Sequence, residues 1–222
     1  MRKKPLANNE YYHIYNRGVD KREVFSDDRD YFRFLLSVDL LNDEKDGLMI
    51  MWRDYQKCVK NPEVTDFLKL NFRKRERLVD IISFCLMSNH YHLILKQNTE
   101  KGIERFLQKL GTSYTKYFNK KYHRNGSLFQ GTFKSSHISS IGLLLRMAVY
   151  ASCNSEIHKV SLAKNYPWCS FLAHTGGREN DLVDNSIFSE HFSSGKDFED
   201  YAKENILDFQ ERKQDQEMFL DS

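Results

Sequence analysis

The sequence predicts an α+β fold: a ferredoxin-like β-α-β-β-α-β unit with an antiparallel sheet and two helices on one face, followed by C-terminal helical additions. Three observations carry that expectation. Two apolar runs, residues 78–87 and 90–96, meet at the polar pair Ser88-Asn89 and read as buried strands joined by a turn. A run of β-formers ending at a glycine, and then a segment of helical spacing, precede them. A second helical segment and a further strand follow.

The elements are justified in chain order. Glu10-Tyr11-Tyr12-His13-Ile14-Tyr15-Asn16-Arg17-Gly18 reads as the first strand. Ser26-Asp27-Asp28 offers an N-cap to a helix whose apolar face is Tyr31, Phe32, Phe34, Leu35, Leu36, Val38 and Leu41. Residues 42–77 are polar and weakly patterned, with Pro62 and the cluster Arg73-Lys74-Arg75-Glu76-Arg77, and read as an inserted, partly helical excursion. A helix over about 99–119 lines up Ile103, Phe106, Leu107, Leu110, Tyr114, Tyr117 and Phe118. A loop over 120–126 then leads to a predicted strand over 127–134. Another helix, 141–155, carries Leu143, Leu144, Met147, Val149 and Tyr150, and Tyr166-Pro167-Trp168-Cys169-Ser170-Phe171 is an aromatic connector. The aromatics of the acidic tail, Phe188, Phe192, Phe198, Tyr201 and Phe209, predict helices packed on the domain. This reading divides the chain into a domain over 1–158, with the 42–77 insertion, and an acidic helical extension over 159–222.

No stretch approaches the ~18 apolar residues of a membrane span, and the basic start lacks the apolar run of a secretory signal. The four cysteines are scattered without C-x-x-C spacing, which favours reduced thiols and a cytoplasmic protein over a disulfide scaffold. The net charge of +3 hides an asymmetry. Residues 101–150 hold nine Lys or Arg against one acid, Glu104, while 181–222 hold four against twelve. Such a basic segment suggests a polyanionic partner.

His90 and His92 are the most informative pair. Strand alternation sends i and i+2 to the same face, so both imidazoles project together while Tyr91 goes the other way. Two imidazoles on a strand make half of a divalent-metal site, although two polar residues lining a solvated sheet face explain a bare His-x-His as well. Tyr150 and Asn154 stand at i and i+4 and share a helical face. A tyrosine attacking phosphorus needs a bound phosphate whose charge is offset by a cation, and an Asn carbonyl one turn on can join two imidazoles as a ligand. Imidazole and oxygen donors together suit Mg²⁺ or Mn²⁺. Spacing alone favours a core tyrosine and an Asn capping the helix end.

Met87-Ser88-Asn89-His90-Tyr91-His92-Leu93-Ile94-Leu95 resembles the His-bulky-His signature of single-tyrosine HUH nucleases. The opening Tyr12-His13-Ile14-Tyr15-Asn16-Arg17-Gly18, the segment Gly126-Ser127-Leu128-Phe129-Gln130-Gly131-Thr132-Phe133-Lys134, and the 166–171 connector resemble the REP-associated tyrosine transposases and their IS200-like relatives. The resemblance spans about residues 10–175. The chain departs from it at Ala151, at Ser155 and at Thr132, where the family commonly has Ile, Pro and Arg, and in the 42–77 insertion and acidic tail.

The resemblance implies a DNA transposase that cleaves and rejoins single-stranded DNA. Tyr150 would be the nucleophile forming a 5′-phosphotyrosine, with His90, His92 and Asn154 holding Mg²⁺ or Mn²⁺. The implied partner is single-stranded or hairpin DNA, with no membrane, and the chain is a possible homodimer. Lys116, Lys120, Lys121, Arg124 and Lys134 are the predicted backbone contacts, interleaved with stacking aromatics and expected next to the metal centre. A non-catalytic hairpin-binding protein derived from such a transposase is the alternative. His13, His123 and His137 are left outside the predicted site.

Overall fold

The computed structural model describes residues 5–72, 74–178 and 182–220, with side chains as far as residue 212. Arg73 of the basic cluster and the end of the acidic tail therefore lie outside the described residues.

The chain opens with β1 (Tyr11–Arg17) and continues into α1 (Asp28–Leu41). Asp27 caps α1 by accepting the Asp30 amide at 3.2 Å, as the Ser26-Asp27-Asp28 signal predicts. The excursion folds into α2 (Leu48–Cys58) and α3 (Val64–Asn71), closed on their own small core of Leu40, Leu48, Trp52 and Phe67. The central hairpin is β2 (Val79–Met87) and β3 (His90–Gln97), turning at Ser88-Asn89. Next come α4 (Gly102–Lys121), β4 (Lys134–Ile138), α5 (Ile141–Ser152) and the single turn α6 (Asn154–Ile157). The remainder holds α7 (Phe171–His174), α8 (Ser186–His191) and the long α9 (Gly195–Leu220).

Every pairing in the four-stranded sheet is antiparallel, in the spatial order β2-β3-β1-β4. That is the ferredoxin-like arrangement the sequence predicts, with the His-x-His strand inside the sheet. Alternation then builds two cores. Tyr12, Ile14, Tyr91, Leu93 and Leu95 face α1 and α4, burying Phe34, Phe106 and Tyr114 between them. Ile94, Cys85, Met87 and Ile138 face the opposite way, onto Leu144, Ala148 and Val149 of α5 and onto Phe198 of α9. Each such apolar side chain contributes about 1.5–3 kcal/mol when fully buried. A bulge between Ile81 and Ser83 breaks the alternation of β2. It lets Ser83 donate to the Ala148 carbonyl at 2.9 Å, which pins α5 to the sheet.

Two boundaries differ from the sequence reading. The strand predicted over 127–134 is largely a loop, and the pairing strand is β4 at Lys134–Ile138. Gly126 and Gly131 adopt positive φ, +85° and +67°, and interrupt extended backbone on either side of the buried Leu128 and Phe129. The real strand, Lys-Ser-Ser-His-Ile, is polar because it lies at the sheet edge, so it carries little apolar alternation. The helix predicted over 141–155 breaks at Cys153, whose backbone (φ −105°, ψ 16°) leaves the helical region before α6 begins.

All four cysteines are unpaired thiols, and among the described residues no helix is long and apolar enough to cross a membrane.

Candidate active site

The hairpin tip that carries His90 is anchored at its backbone. The Ser88 carbonyl accepts the amides of Val24 and Phe25 at 2.8 and 3.0 Å, and the Asn89 carbonyl accepts that of Gly18 at 2.8 Å. Gly18 has no room for a side chain, since a Cβ there would meet the Arg22 carbonyl at 2.2 Å. A tight loop thus fixes the start of β3, and strand alternation sends His90 and His92 together toward α5 and α6.

Tyr150, near the end of α5, brings its ring edge-on to His92, with centroids 5.3 Å apart. The tyrosine thereby meets the histidines of its own chain. Just past the break at Cys153, Asn154 places Oδ1 3.3 Å from Nε2 of His90. The structure therefore brings together all four residues of the predicted centre: His90, His92, Tyr150 and Asn154.

The hydrogen bonds around these groups fix their chemistry. Nδ1 of His90 lies 2.6 Å from the Asn89 side-chain oxygen, which only accepts, and so is served when the ring proton sits on Nδ1. In that tautomer Nε2 of His90 carries the lone pair beside the Asn154 oxygen; in the other it donates to that oxygen. The Nδ2 of Asn154 is buried without a hydrogen-bond partner. Nδ1 of His92 lies 2.8 Å from Nε2 of His13, leaving the Nε2 of His92 as its remaining nitrogen.

Burial holds these imidazoles neutral. It takes His92 well below the ordinary histidine value, and His13 down to about 4. Burial also lowers His90, with Asn154 opposing the shift and the Arg17 charge adding to it. Neutral imidazoles keep lone pairs available at physiological pH. Burial pushes the Tyr150 phenol up from its ordinary value, while the neighbouring Asn154 amide draws it back.

Two imidazole nitrogens and one amide oxygen form a donor set that fits a hard or borderline divalent cation, with water and phosphate oxygens completing the coordination. Among the described residues no group of three or more His, Cys, Asp or Glu side chains could hold a metal.

The predicted basic residues divide between two faces. Lys134 lies at the site, its ammonium 5.8 Å from the ring of Tyr15, which in turn neighbours His92. Lys116, Lys120 and Lys121 stand on α4, and Arg124 follows it, on the opposite face of the sheet from the histidines. The expected cluster beside the metal centre is thus corrected: helical residues on the α1-α4 layer cannot reach through the sheet. Lys116 and Lys120 border a groove of about 980 Å³ between α1, α2 and α4, together with Arg33 and Arg53. Lys121 bridges Asp27 and Asp30 at 2.6 and 2.7 Å, and the Arg124 guanidinium lies over the Phe118 ring.

Sequence reasoning missed three neighbours. His13 contacts His92, Arg17 pairs across from His90 in the β1-β3 register, and Phe209 of α9 lies against Tyr150 with centroids 5.1 Å apart. The period-two spacing of His13, Tyr15 and Arg17 puts them on one strand face, and that signal was available in sequence. Their apposition to His90 and His92 depends on strand register, which was not.

Residues 48–144 match the family model for IS200-like transposases. This segment contains both strand histidines and stops short of Tyr150 and Asn154. A solved structure, of a REP-associated tyrosine transposase bound to a REP hairpin, matches with a TM-score of 0.49 and 12% identity over 84% of this chain and 94% of that one. No curated protein matches the sequence. Residues 48–144 are thus similar to the IS200-like transposases, as are the motifs around the His-x-His strand.

Proposed function

We propose that this protein is a metal-dependent nuclease and strand transferase acting on single-stranded or hairpin DNA through a 5′-phosphotyrosine intermediate. The observation that carries the reading is the juxtaposition of Tyr150 with His92 at 5.3 Å and of Asn154 with His90 at 3.3 Å. A binder without catalysis has no use for a phenol edge-on to an imidazole pair and an amide oxygen facing one of them.

In this reading His90, His92 and Asn154 hold Mg²⁺ or Mn²⁺, which when bound offsets charge on a non-bridging phosphate oxygen. The Tyr150 oxygen attacks phosphorus and the bond from phosphorus to the 3′ oxygen breaks. The phenolic proton ends, net, on the released 3′-hydroxyl. Another 3′-hydroxyl reverses the step and rejoins strands, so no nucleotide cofactor is needed. Arg17, opposite His90, and Lys134, beside Tyr15, flank the opening and suit the neighbouring phosphates.

The test is incubation with end-labelled single strands and Mn²⁺, with and without EDTA. A covalent protein–DNA band that needs metal, and that Tyr150→Phe abolishes while DNA binding persists, supports the assignment. Full adduct from Tyr150→Phe would sink it. Binding without any adduct from the wild-type chain favours a non-catalytic hairpin-binding protein instead.

A further inference from the structure

Outside the four residues of the proposed centre, the most informative contact is between two imidazoles of neighbouring strands. His13 on β1 and His92 on β3 present Nε2 and Nδ1 to one another at 2.8 Å, with both side chains buried. Their rings lie within 18° of one plane and their centroids are 5.0 Å apart, so the bond runs along the ring planes rather than between stacked faces. A contact of that length has one donor and one acceptor.

Two arrangements are available. If His13 donates, Nδ1 of His92 is the acceptor and the proton of His92 sits on Nε2, where it blocks ligation. If His92 donates from Nδ1, its Nε2 carries the lone pair and the proton of His13 sits on its own Nδ1. Only the second makes His92 a ligand. His90 has a partner for the same pattern: the Asn89 side-chain oxygen, 2.6 Å from Nδ1, accepts from the tautomer that frees Nε2. The two ligands of the His-x-His strand would then share one tautomer, enforced by different partners.

We infer that His13 is a positioning residue: by accepting the Nδ1 proton of His92 it selects the tautomer of His92 that can bind a divalent cation. The inference rests on the metal-dependent reading above. The outer hydrogen bond of a metal-bound histidine fixes tautomer and ring orientation, and its loss costs about 10–100-fold in metal affinity. The β1-β3 register supplies the geometry. Tyr15 lies opposite His92, so His13 sits diagonally across from it on the same face. Tyr150 closes over the pair, with its ring 5.8 Å from His13 and edge-on.

The test compares His13→Leu, which has no acceptor, with His13→Gln, whose amide oxygen can take over that of the imidazole nitrogen. Two readouts stand apart from DNA cleavage. Mn²⁺ affinity of the DNA-free protein, by electron paramagnetic resonance, should weaken about 10–100-fold in His13→Leu and largely recover in His13→Gln. Nitrogen-15 spectra of the metal-free wild-type protein should show His92 protonated on Nδ1, an assignment that needs no variant to fold. A wild-type His92 protonated on Nε2 overturns the inference. So does wild-type affinity for Mn²⁺ in a folded His13→Leu protein whose His90→Ala counterpart has lost it. A wild-type chain that binds no Mn²⁺ at all overturns instead the metal-dependent reading on which the inference stands.

Discussion

Nε2 of His90 and Oδ1 of Asn154 face each other at 3.3 Å, two potential ligand atoms brought together from elements 64 residues apart. The other nitrogen of His90 lies 2.6 Å from the Asn89 side-chain oxygen, so the single proton of the neutral ring serves one of two oxygens and leaves the other nitrogen free to ligate. A direct consequence is expected for Asn154→Ala. Removing one of three donors should weaken Mn²⁺ binding and adduct formation by at least about tenfold. The Asn154 side chain is fully buried, so stability is measured beside affinity to separate the cost of the cavity from loss of a ligand. Metal titration alongside a thermal melt checks this. Unchanged Mn²⁺ affinity would exclude Asn154 as a ligand.

Tyr114 and Tyr150 should separate stability from chemistry. Tyr114 is fully buried and donates to the Val24 carbonyl at 2.6 Å, in the α1-α4 layer away from the histidines. Tyr114→Phe strands that carbonyl and should cost about 1–3 kcal/mol while leaving the adduct yield per folded molecule intact. Tyr150→Phe should do the reverse. Urea denaturation and the adduct assay on both variants decide it. Loss of adduct from a folded Tyr114→Phe protein would move the nucleophile.

Adjacent lysines at the end of α4 should behave differently. The Asp30 carboxylate is fully buried; burial pushes its pKa up, and donation from Lys121, Ser26, Tyr122 and Tyr117 outweighs burial and holds it below the ordinary carboxylate value. Lys121→Gln removes the ammonium from that network. It should cost about 2 kcal/mol, less than for a fully buried pair because the lysine is partly solvated. Lys120 is exposed along the groove between α1, α2 and α4, and Lys120→Gln should leave stability within about 0.5 kcal/mol. If the groove carries DNA, that variant should flatten the salt dependence of single-strand binding by about 0.7 in slope. Salt titrations of both variants test the distinction. Equal stabilities would deny Lys121 its structural role, and an unchanged salt slope would remove Lys120 from the DNA interface.

His174 sets an acid limit on stability. Its ring is buried, with Nε2 3.0 Å from the Ser170 hydroxyl and Nδ1 2.8 Å from the Asn185 carbonyl oxygen. Burial lowers its pKa to about 4 from 6.5, with Asn185 opposing the shift. Between those values the unfolded chain binds the proton and the folded chain does not, so stability rises with pH across the window. The contribution is complete above pH 6.5 and is lost as pH falls toward 4, about 3 kcal/mol in all. Denaturation midpoints from pH 4 to 7 should fall less steeply in His174→Gln than in the wild type. Parallel curves would show that this ring does not titrate with unfolding.

The direction of His90 and His92, with Tyr91 opposed, follows from backbone alternation within one strand, and the sequence alone determined it. The helix cap at Asp27 and the hairpin turn at Ser88-Asn89 are equally local and equally legible. What only the tertiary structure decided is what meets the histidines. The β1-β3 register sets Tyr15 opposite His92 and brings His13 within hydrogen-bonding reach. The bulge at Ile81–Ser83 and the bond from Ser83 to Ala148 settle where α5 delivers Tyr150. The same layering carried Lys116, Lys120, Lys121 and Arg124 to the far side of the sheet, although in sequence they lie between the histidines and the tyrosine. Alternation and capping depend on a few consecutive dihedral angles. Register and face depend on which apolar surfaces bury one another, and that is settled only when distant segments pack.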